Sequence, residues 1–171
     1  RSKVKNFSFT LGAAIHMIDL ICWILNKKPL SVITLGNKIV TKNTIFKKKS
    51  FLIYLLKFPQ NLIVKVTANM VGNHEHFHNL KIYSKNKTLF HTRDGSYILN
   101  KNKKLFSNNL GYAYPDKKNR KKIIRNFIDS IKNSNVKKIV SQNEIFDLMS
   151  ICFAADKSLK LNREVKINYK I

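Results

Sequence analysis

The stretch LGAAIHMIDLICWIL (residues 11–25) has the apolar spacing of a helix that packs into a core, yet it carries two ionisable side chains one turn apart. These are His16 and Asp19, which lie close to one helix face. Thr10 has a side chain typical of a helix N-cap. Asn26 tolerates left-handed backbone, and the Lys-Lys-Pro after it supplies two cations and a helix breaker. The sequence therefore predicts a first helix from Thr10 to Asn26.

From residue 30 onward the apolar spacing changes to every second residue, which predicts β-strands. The links between them are short and polar, and such links favour hairpins and antiparallel pairing. The predicted strands are residues 31–40, 51–58, 61–71, 77–84, 87–92 and 96–100.

Helical spacing returns near the end of the chain. Residues 119–133 carry isoleucine and phenylalanine at helical intervals, and residues 141–162 open with Ser141 and Glu144, the two members of a capping box. Residues 164–170 alternate again and predict a closing strand. Together these elements predict an α+β fold, an open and mostly antiparallel sheet of about six or seven strands with helices packed on one face.

Length and composition fit a single domain, residues 1–171, with enough hydrophobic residues (44%) to fill a core. The apolar runs are too short to cross a bilayer, and the chain starts without the apolar segment of a signal peptide. Cys22 and Cys152 lie in apolar helical patterns, where they give neither a disulfide framework nor a metal-binding spacing. We therefore expect a cytoplasmic domain with no membrane partner and no metal.

The formal net charge of +24 suggests a polyanion partner at first sight. Only five of the 33 basic residues are arginine, the residue that nucleic-acid interfaces use for bidentate contacts. The lysines are spread over almost every segment, and lysine, asparagine and isoleucine share A/T-rich codons. Compositional drift explains all three enrichments, so we expect no specific nucleic-acid partner, although weak polyanion binding at low salt follows from the charge.

Three stretches carry a family resemblance. Residues 11–37 contain a helix with His-x-x-Asp, a Trp-x-Leu helix end and a first strand; residues 76–90 form a strand-turn-strand pattern; residues 127–167 hold two closing helices and a last strand. In this order they resemble the C-terminal domain of the Gfo/Idh/MocA family of NAD(P)-dependent sugar oxidoreductases. The resemblance implies a glyceraldehyde-3-phosphate-dehydrogenase-like C-terminal domain, with a sheet face that serves as a homo-oligomer interface.

The same resemblance implies a second domain. Family members have an N-terminal Rossmann domain that binds most of the NAD or NADP, whereas this chain has five glycines that form no G-x-G-x-x-G motif. The Glu-Lys-Pro motif with the family's catalytic lysine is also missing. The resemblance thus implies a substrate-binding and partly catalytic domain, inactive alone, for a sugar or nucleotide-sugar hydroxyl or carbonyl.

Hydride transfer from a carbinol carbon needs a base for the hydroxyl proton, and imidazole titrates in the right range. By resemblance His16 is that acid/base group; the alternative is a core histidine bonded to a backbone carbonyl. Asp19 either orients the imidazole or is a buried carboxylate bonded to backbone amides or a nearby strand. Many relatives carry an aspartate in the substrate site one turn before the histidine. In this sequence Gly12 occupies that substrate-binding position.

The sequence HEHFH (residues 74–78) places three histidines on one face of a predicted strand, although His74 falls in the preceding turn. His76 and His78 can line a sugar pocket. Solvated histidines at a strand end and a zinc site are the alternatives. His91 stands alone at a strand end and has no predicted role.

Residues 101–116 are irregular and contain Tyr112 and Tyr114. These rings can stack on a sugar or donate hydroxyl groups to it, or they can anchor the loop in the core. Two other functions stay open: a non-catalytic binding or scaffolding domain that has kept the fold, and a basic polyanion-binding protein.

Overall fold

The computed structural model describes residues 8–44, 48–73, 77–101, 103–106 and 118–169. In these ranges the helices are α1 (Ile15–Leu25), α2 (Lys118–Lys132) and α3 (Gln142–Leu161). The strands are β1 (Ser31–Asn37), β2 (Phe51–Lys57), β3 (Ile63–Asn69), β4 (Leu80–Tyr83), β5 (Lys87–Thr92), β6 (Gly95–Asn100), β7 (Lys103–Phe106) and β8 (Val165–Lys166). A π-helical turn, Thr10–Ala14, runs directly into α1, and a 3-10 turn, Pro59–Asn61, links β2 to β3.

The chain forms two compact units, Arg1–Asn73 with Val140–Ile171 and His74–Ile139. The first unit has α1, α3 and a sheet of strand order β3-β2-β1-β8; the second has α2 and the meander β4-β5-β6-β7. Every strand pairing among the described residues is antiparallel. The predicted α+β class is confirmed. The described strands, however, form two sheets of four rather than one sheet of six or seven.

The core of the first unit follows from two periodicities. Along β2 alternate residues face the helices, so Leu52, Tyr54 and Leu56 are fully buried while their neighbours are half-buried. Ile18 of α1 and Ile151 of α3 are buried against the same cluster. A sheet with one helix-covered face and one open face results.

Two helix boundaries confirm the sequence prediction. Asn26 has left-handed backbone (φ 46°) directly after α1. At the start of α3 the Ser141 side chain accepts the Glu144 N–H, and the Glu144 carboxylate accepts the Ser141 N–H at 2.6 Å, so the capping box is formed. No helix in the described part of the chain is long and apolar enough to cross a membrane.

The predicted cap at Thr10 is wrong. Its hydroxyl is fully buried and bonds to side chains of the core, while the Ser8 hydroxyl accepts the Leu11 N–H at 3.1 Å. β7 was not predicted, since residues 101–116 show no alternation that marks a strand.

In the second unit two aromatic side chains and one cationic side chain line up across the sheet. Phe90 stacks on Tyr97 with ring centroids 4.7 Å apart, and the Lys81 ammonium lies 4.6 Å from the Phe90 centroid.

Helix α2 is amphipathic, and its apolar side chains are 44–69% exposed. They are Ile123, Ile124, Phe127, Ile128 and Ile131.

Candidate functional site

The candidate site is an exposed stripe along the first helix. Gly12, His16, Asp19 and Trp23 are spaced four, three and four residues apart, which places them on one side of a helix, and all four are exposed. The opposite side is buried in the core. The two ionisable groups that look misplaced in an apolar sequence therefore face outward.

This exposure excludes the core alternatives drawn from the sequence and leaves the proposed roles of His16 and Asp19 as predictions. A core histidine bonded to a backbone carbonyl would be buried, and His16 is exposed; a buried carboxylate is likewise excluded for Asp19. Among the hydrogen bonds of the described residues, none joins Asp19 to His16. Their interaction acts through space across one helical turn.

The electrostatics of Asp19 are set by two helices. Partial burial and the negative charge of Glu144, in the first turn of α3, raise the pKa of the Asp19 carboxyl, while a positive His16 acts in the opposite sense. The pKa of Glu144 is lowered, because the backbone and side chain of Ser141 bond to its carboxylate. The stripe therefore holds an imidazole beside a carboxyl group that is easier to protonate than a free aspartate.

The sequence does not predict Trp23 as a site residue. Its side chain is 76% exposed, an unusual state for the largest apolar residue of the chain. Helical spacing alone contains the signal, because Trp23 falls outside the apolar face of its helix and in line with His16 and Asp19. Its flat exposed ring gives the stripe a surface that can stack on a ligand.

The other predicted site residues have different outcomes. His74, His76, Tyr112 and Tyr114 lie outside the described residues. His78 is half-buried, belongs to the second unit and precedes β4, so the prediction of a strand at its position is wrong.

His91 is not alone. Its Nδ1 lies 2.7 Å from the hydroxyl of Ser96, its cross-strand neighbour, and its ring lies 5.6 Å from that of Phe77. This histidine holds two strands of the second unit together.

Neither thiol suits nucleophilic or redox chemistry. Burial raises the pKa of Cys22 to about 11 and that of Cys152 to about 12, so both stay protonated near neutral pH. No group of three or more histidine, cysteine, aspartate or glutamate side chains that could hold a metal ion occurs among the described residues.

Comparison with known proteins gives a fold and no sequence family. No family model and no curated protein matches the chain. Solved structures do match. Myo-inositol 2-dehydrogenase from Lactobacillus plantarum aligns with a TM-score of 0.71 at 14% identity, over 98% of this chain and 50% of that one. UDP-N-acetylglucosamine 3-dehydrogenase from Acidithiobacillus ferrooxidans gives 0.68 at 12%, over 91% and 50%.

An oxidoreductase from Agrobacterium radiobacter, crystallised with NAD+, L-tartaric acid and magnesium, gives a TM-score of 0.69 at 15% identity, over 90% of this chain and 47% of that one. The chain spans about half the length of the solved structures that it matches. These proteins are Gfo/Idh/MocA-type oxidoreductases. The chain therefore has the fold of the C-terminal domain of Gfo/Idh/MocA-type oxidoreductases, as the resemblance of its sequence predicts.

Proposed function

We propose that this chain is the substrate-binding and partly catalytic C-terminal domain of an NAD(P)-dependent oxidoreductase that acts on a sugar or nucleotide sugar. The observation that carries the proposal is the exposed His16 on the outer side of a helix whose opposite side is buried, in a chain with this fold.

In the proposed reaction the substrate's C–H bond breaks with its electron pair, the carbonyl forms, and the hydroxyl proton passes to the His16 imidazole. NAD(P), when bound, supplies the acceptor for the hydride. This chain contains no glycine-rich phosphate loop, so we propose that a separate Rossmann domain holds most of the cofactor. His16 would then contact the substrate from the side opposite the cofactor.

The neighbours of His16 suggest how the substrate is held. Gly12, one turn before the imidazole, has no side chain, and we propose that a sugar hydroxyl takes that space. Asp19, on the other side, can accept a hydrogen bond from a hydroxyl, and Trp23 can stack on an apolar ring face. His76, His78 and Tyr112 remain proposed substrate contacts from other segments.

A homo-oligomer through the open sheet face is part of the proposal. The outward face of the sheet mixes polar side chains, such as Lys65 and Thr67 of β3, with two exposed apolar ones, Leu35 of β1 (50%) and Ile63 of β3 (62%). A second copy of the face would cover them. The domain assignment of residues 1–171 as one substrate-binding and oligomerisation domain remains a proposal.

The test uses the full-length protein that contains this chain, assayed with NAD and NADP against a panel of cyclic polyols, sugars and UDP-sugars. His16→Gln keeps a polar side chain of similar size but cannot exchange a proton at neutral pH, so turnover should fall by about 10²–10⁴-fold. His91→Gln, a change of the same type at the histidine bonded to Ser96, should leave turnover within about twofold.

The second candidate is a non-catalytic binding or scaffolding domain, which Gly12 favours because, by the resemblance of the sequence, many relatives carry an aspartate there. Unchanged turnover in His16→Gln, or no dehydrogenase activity with any of the substrates, would support this candidate. So would an upstream sequence that lacks a glycine-rich strand-helix turn and the Glu-Lys-Pro motif.

A further inference from the structure

Two buried hydroxyl groups and a half-buried carboxylate form a hydrogen-bonded network beneath the start of the first helix. The Thr10 hydroxyl lies 3.1 Å from the Tyr54 hydroxyl and donates to the Asp156 carboxylate at 2.5 Å. Since a threonine has one hydroxyl proton, and it goes to Asp156, Tyr54 must donate to Thr10. The hydrogen bonds therefore run in one direction: the Tyr54 hydroxyl donates to Thr10, and the Thr10 hydroxyl donates to Asp156.

Burial keeps the donors and acceptors of this network in these roles. Thr10 and Tyr54 are fully buried, and burial raises the pKa of the Tyr54 phenol well above its usual range, so it remains a donor. A hydrogen bond to a carboxylate is shorter and stronger than one between neutral groups. These two hydrogen bonds join the π-helical turn to β2 and to α3, across 44 and 146 residues of sequence.

Thr10 belongs to the π-helical turn, so its hydrogen bonds bear on the position of the exposed stripe that follows it. Thr10–Ala14 is wound wider than an α-helix, and single π-helical turns occur often at functional sites. Within it Thr10 and Ala14 face the core and Gly12 faces outward. Because His16 follows in the first turn of α1, the rotation of this short segment sets the direction in which Gly12 and His16 point.

We propose that Thr10 is a positioning residue for His16: its hydroxyl, held between Tyr54 and Asp156, fixes the π-helical turn so that Gly12 and His16 share the exposed face. The proposal rests on the proposed function for its catalytic consequence only. The positional effect can be measured whether or not His16 takes part in a reaction.

The test compares Thr10→Val, which has the same shape without the hydroxyl, with Thr10→Ser, which keeps the hydroxyl. Thr34→Val is the matched control, because Thr34 is also fully buried but its hydroxyl has no partner among the described residues. In Thr10→Val the amides of residues 14–18 should exchange with solvent about tenfold faster or more. The NMR signals of the His16 ring should shift, and Thr10→Ser should restore both. Thr34→Val should change neither.

In the full-length enzyme, Thr10→Val should lower kcat at least about tenfold with KM changed less than about twofold, since it misplaces the acid/base group. Unshifted His16 signals and unchanged exchange in Thr10→Val would overturn the positioning role. If Thr10→Val does not fold, Asp156→Asn, which keeps an acceptor but loses the charge, must give a smaller effect of the same kind. A rate insensitive to His16→Gln would instead contradict the proposed function and leave the NMR result to decide the positioning role.

Discussion

Gly36 of β1 lies opposite Leu52 of β2, so close that any side chain on Gly36 would overlap the Leu52 Cδ2 atom. A Cβ there would also lie 2.8 Å from the Phe51 carbonyl oxygen and 3.5 Å from Leu159 Cδ1. Since Leu52 is fully buried, it has little room to move. Gly36→Ala should therefore lower the free energy of unfolding by about 1–3 kcal/mol, measured by urea denaturation.

A double variant separates this overlap from a general loss of packing. Leu52→Ala alone should cost about 2–5 kcal/mol because it leaves a cavity. In Gly36→Ala/Leu52→Ala the new methyl group occupies part of that cavity, so the total loss should be smaller than the sum of the single losses. Simple additivity would show that the two residues do not compete for the same space.

Thr34 is a fully buried residue whose hydroxyl oxygen has no hydrogen-bond partner among the described residues. Its backbone N–H is satisfied, since it donates to the Ser158 hydroxyl at 2.9 Å. Thr34→Val removes the unpaired hydroxyl at nearly constant volume, so the free energy of unfolding should rise by about 1 kcal/mol. Thr10→Val, the same change at a hydroxyl with two partners, should lower it. A loss of stability in both variants would mean that the Thr34 hydroxyl is paired in solution.

Asp19 should reduce stability at neutral pH. Its pKa is raised in the folded protein, which means that ionisation costs more there than in the unfolded chain. This cost is fully present above the folded-state pKa and disappears below the ordinary value of 3.8. Asp19→Asn should therefore raise the free energy of unfolding near pH 7 by about 0.3–0.5 kcal/mol, a small effect because water screens the exposed group. The gain should vanish in urea titrations at pH 3; a gain that persists there has a different cause.

The capping box of α3 has the opposite pH dependence. Ser141→Ala should cost about 1 kcal/mol near neutral pH, because it removes the acceptor for the Glu144 N–H and the hydroxyl that donates to the Glu144 carboxylate. Glu144→Gln keeps an oxygen that can cap, so its smaller cost comes from the charge. The pKa of Glu144 is lowered in the fold, so this contribution is present above the ordinary value of 4.5 and is lost as the pH falls through the folded-state value. Equal losses at pH 3 and pH 7 would contradict that origin.

The parts of the fold predicted from sequence are those with local causes. Asn26 ends a helix and Ser141 starts one through groups within four residues, so neighbouring letters contain the signal. The same reasoning predicts a cap at Thr10, but the partners of its hydroxyl are distant in sequence and no local pattern identifies them. Alternation likewise marks a strand without naming its neighbours, which is why the division into two sheets was not predicted.

Strand lengths were overestimated where the partner strand ends. Leu80 pairs with His91, so His78 would face Arg93, which already lies in the turn between β5 and β6. Similarly β8 ends early because β1 begins at Ser31 and the residue two positions earlier is Pro29, which has no N–H to donate. For the candidate site, spacing placed His16 and Asp19 on one face. Only the packing of the helix could show that this face is the outer one.

The apolar side of α2 and the overall charge act against each other in solution. At 0.1 M salt, repulsion between molecules of charge +24 reaches over a Debye length of about 10 Å; at 1 M it reaches about 3 Å. Concentrated salt therefore removes the force that keeps the exposed isoleucine and phenylalanine side chains of neighbouring molecules apart. A high-salt wash, the usual way to remove nucleic acid from a basic protein, would therefore promote aggregation of this protein. Its colloidal stability should be greatest in dilute buffer.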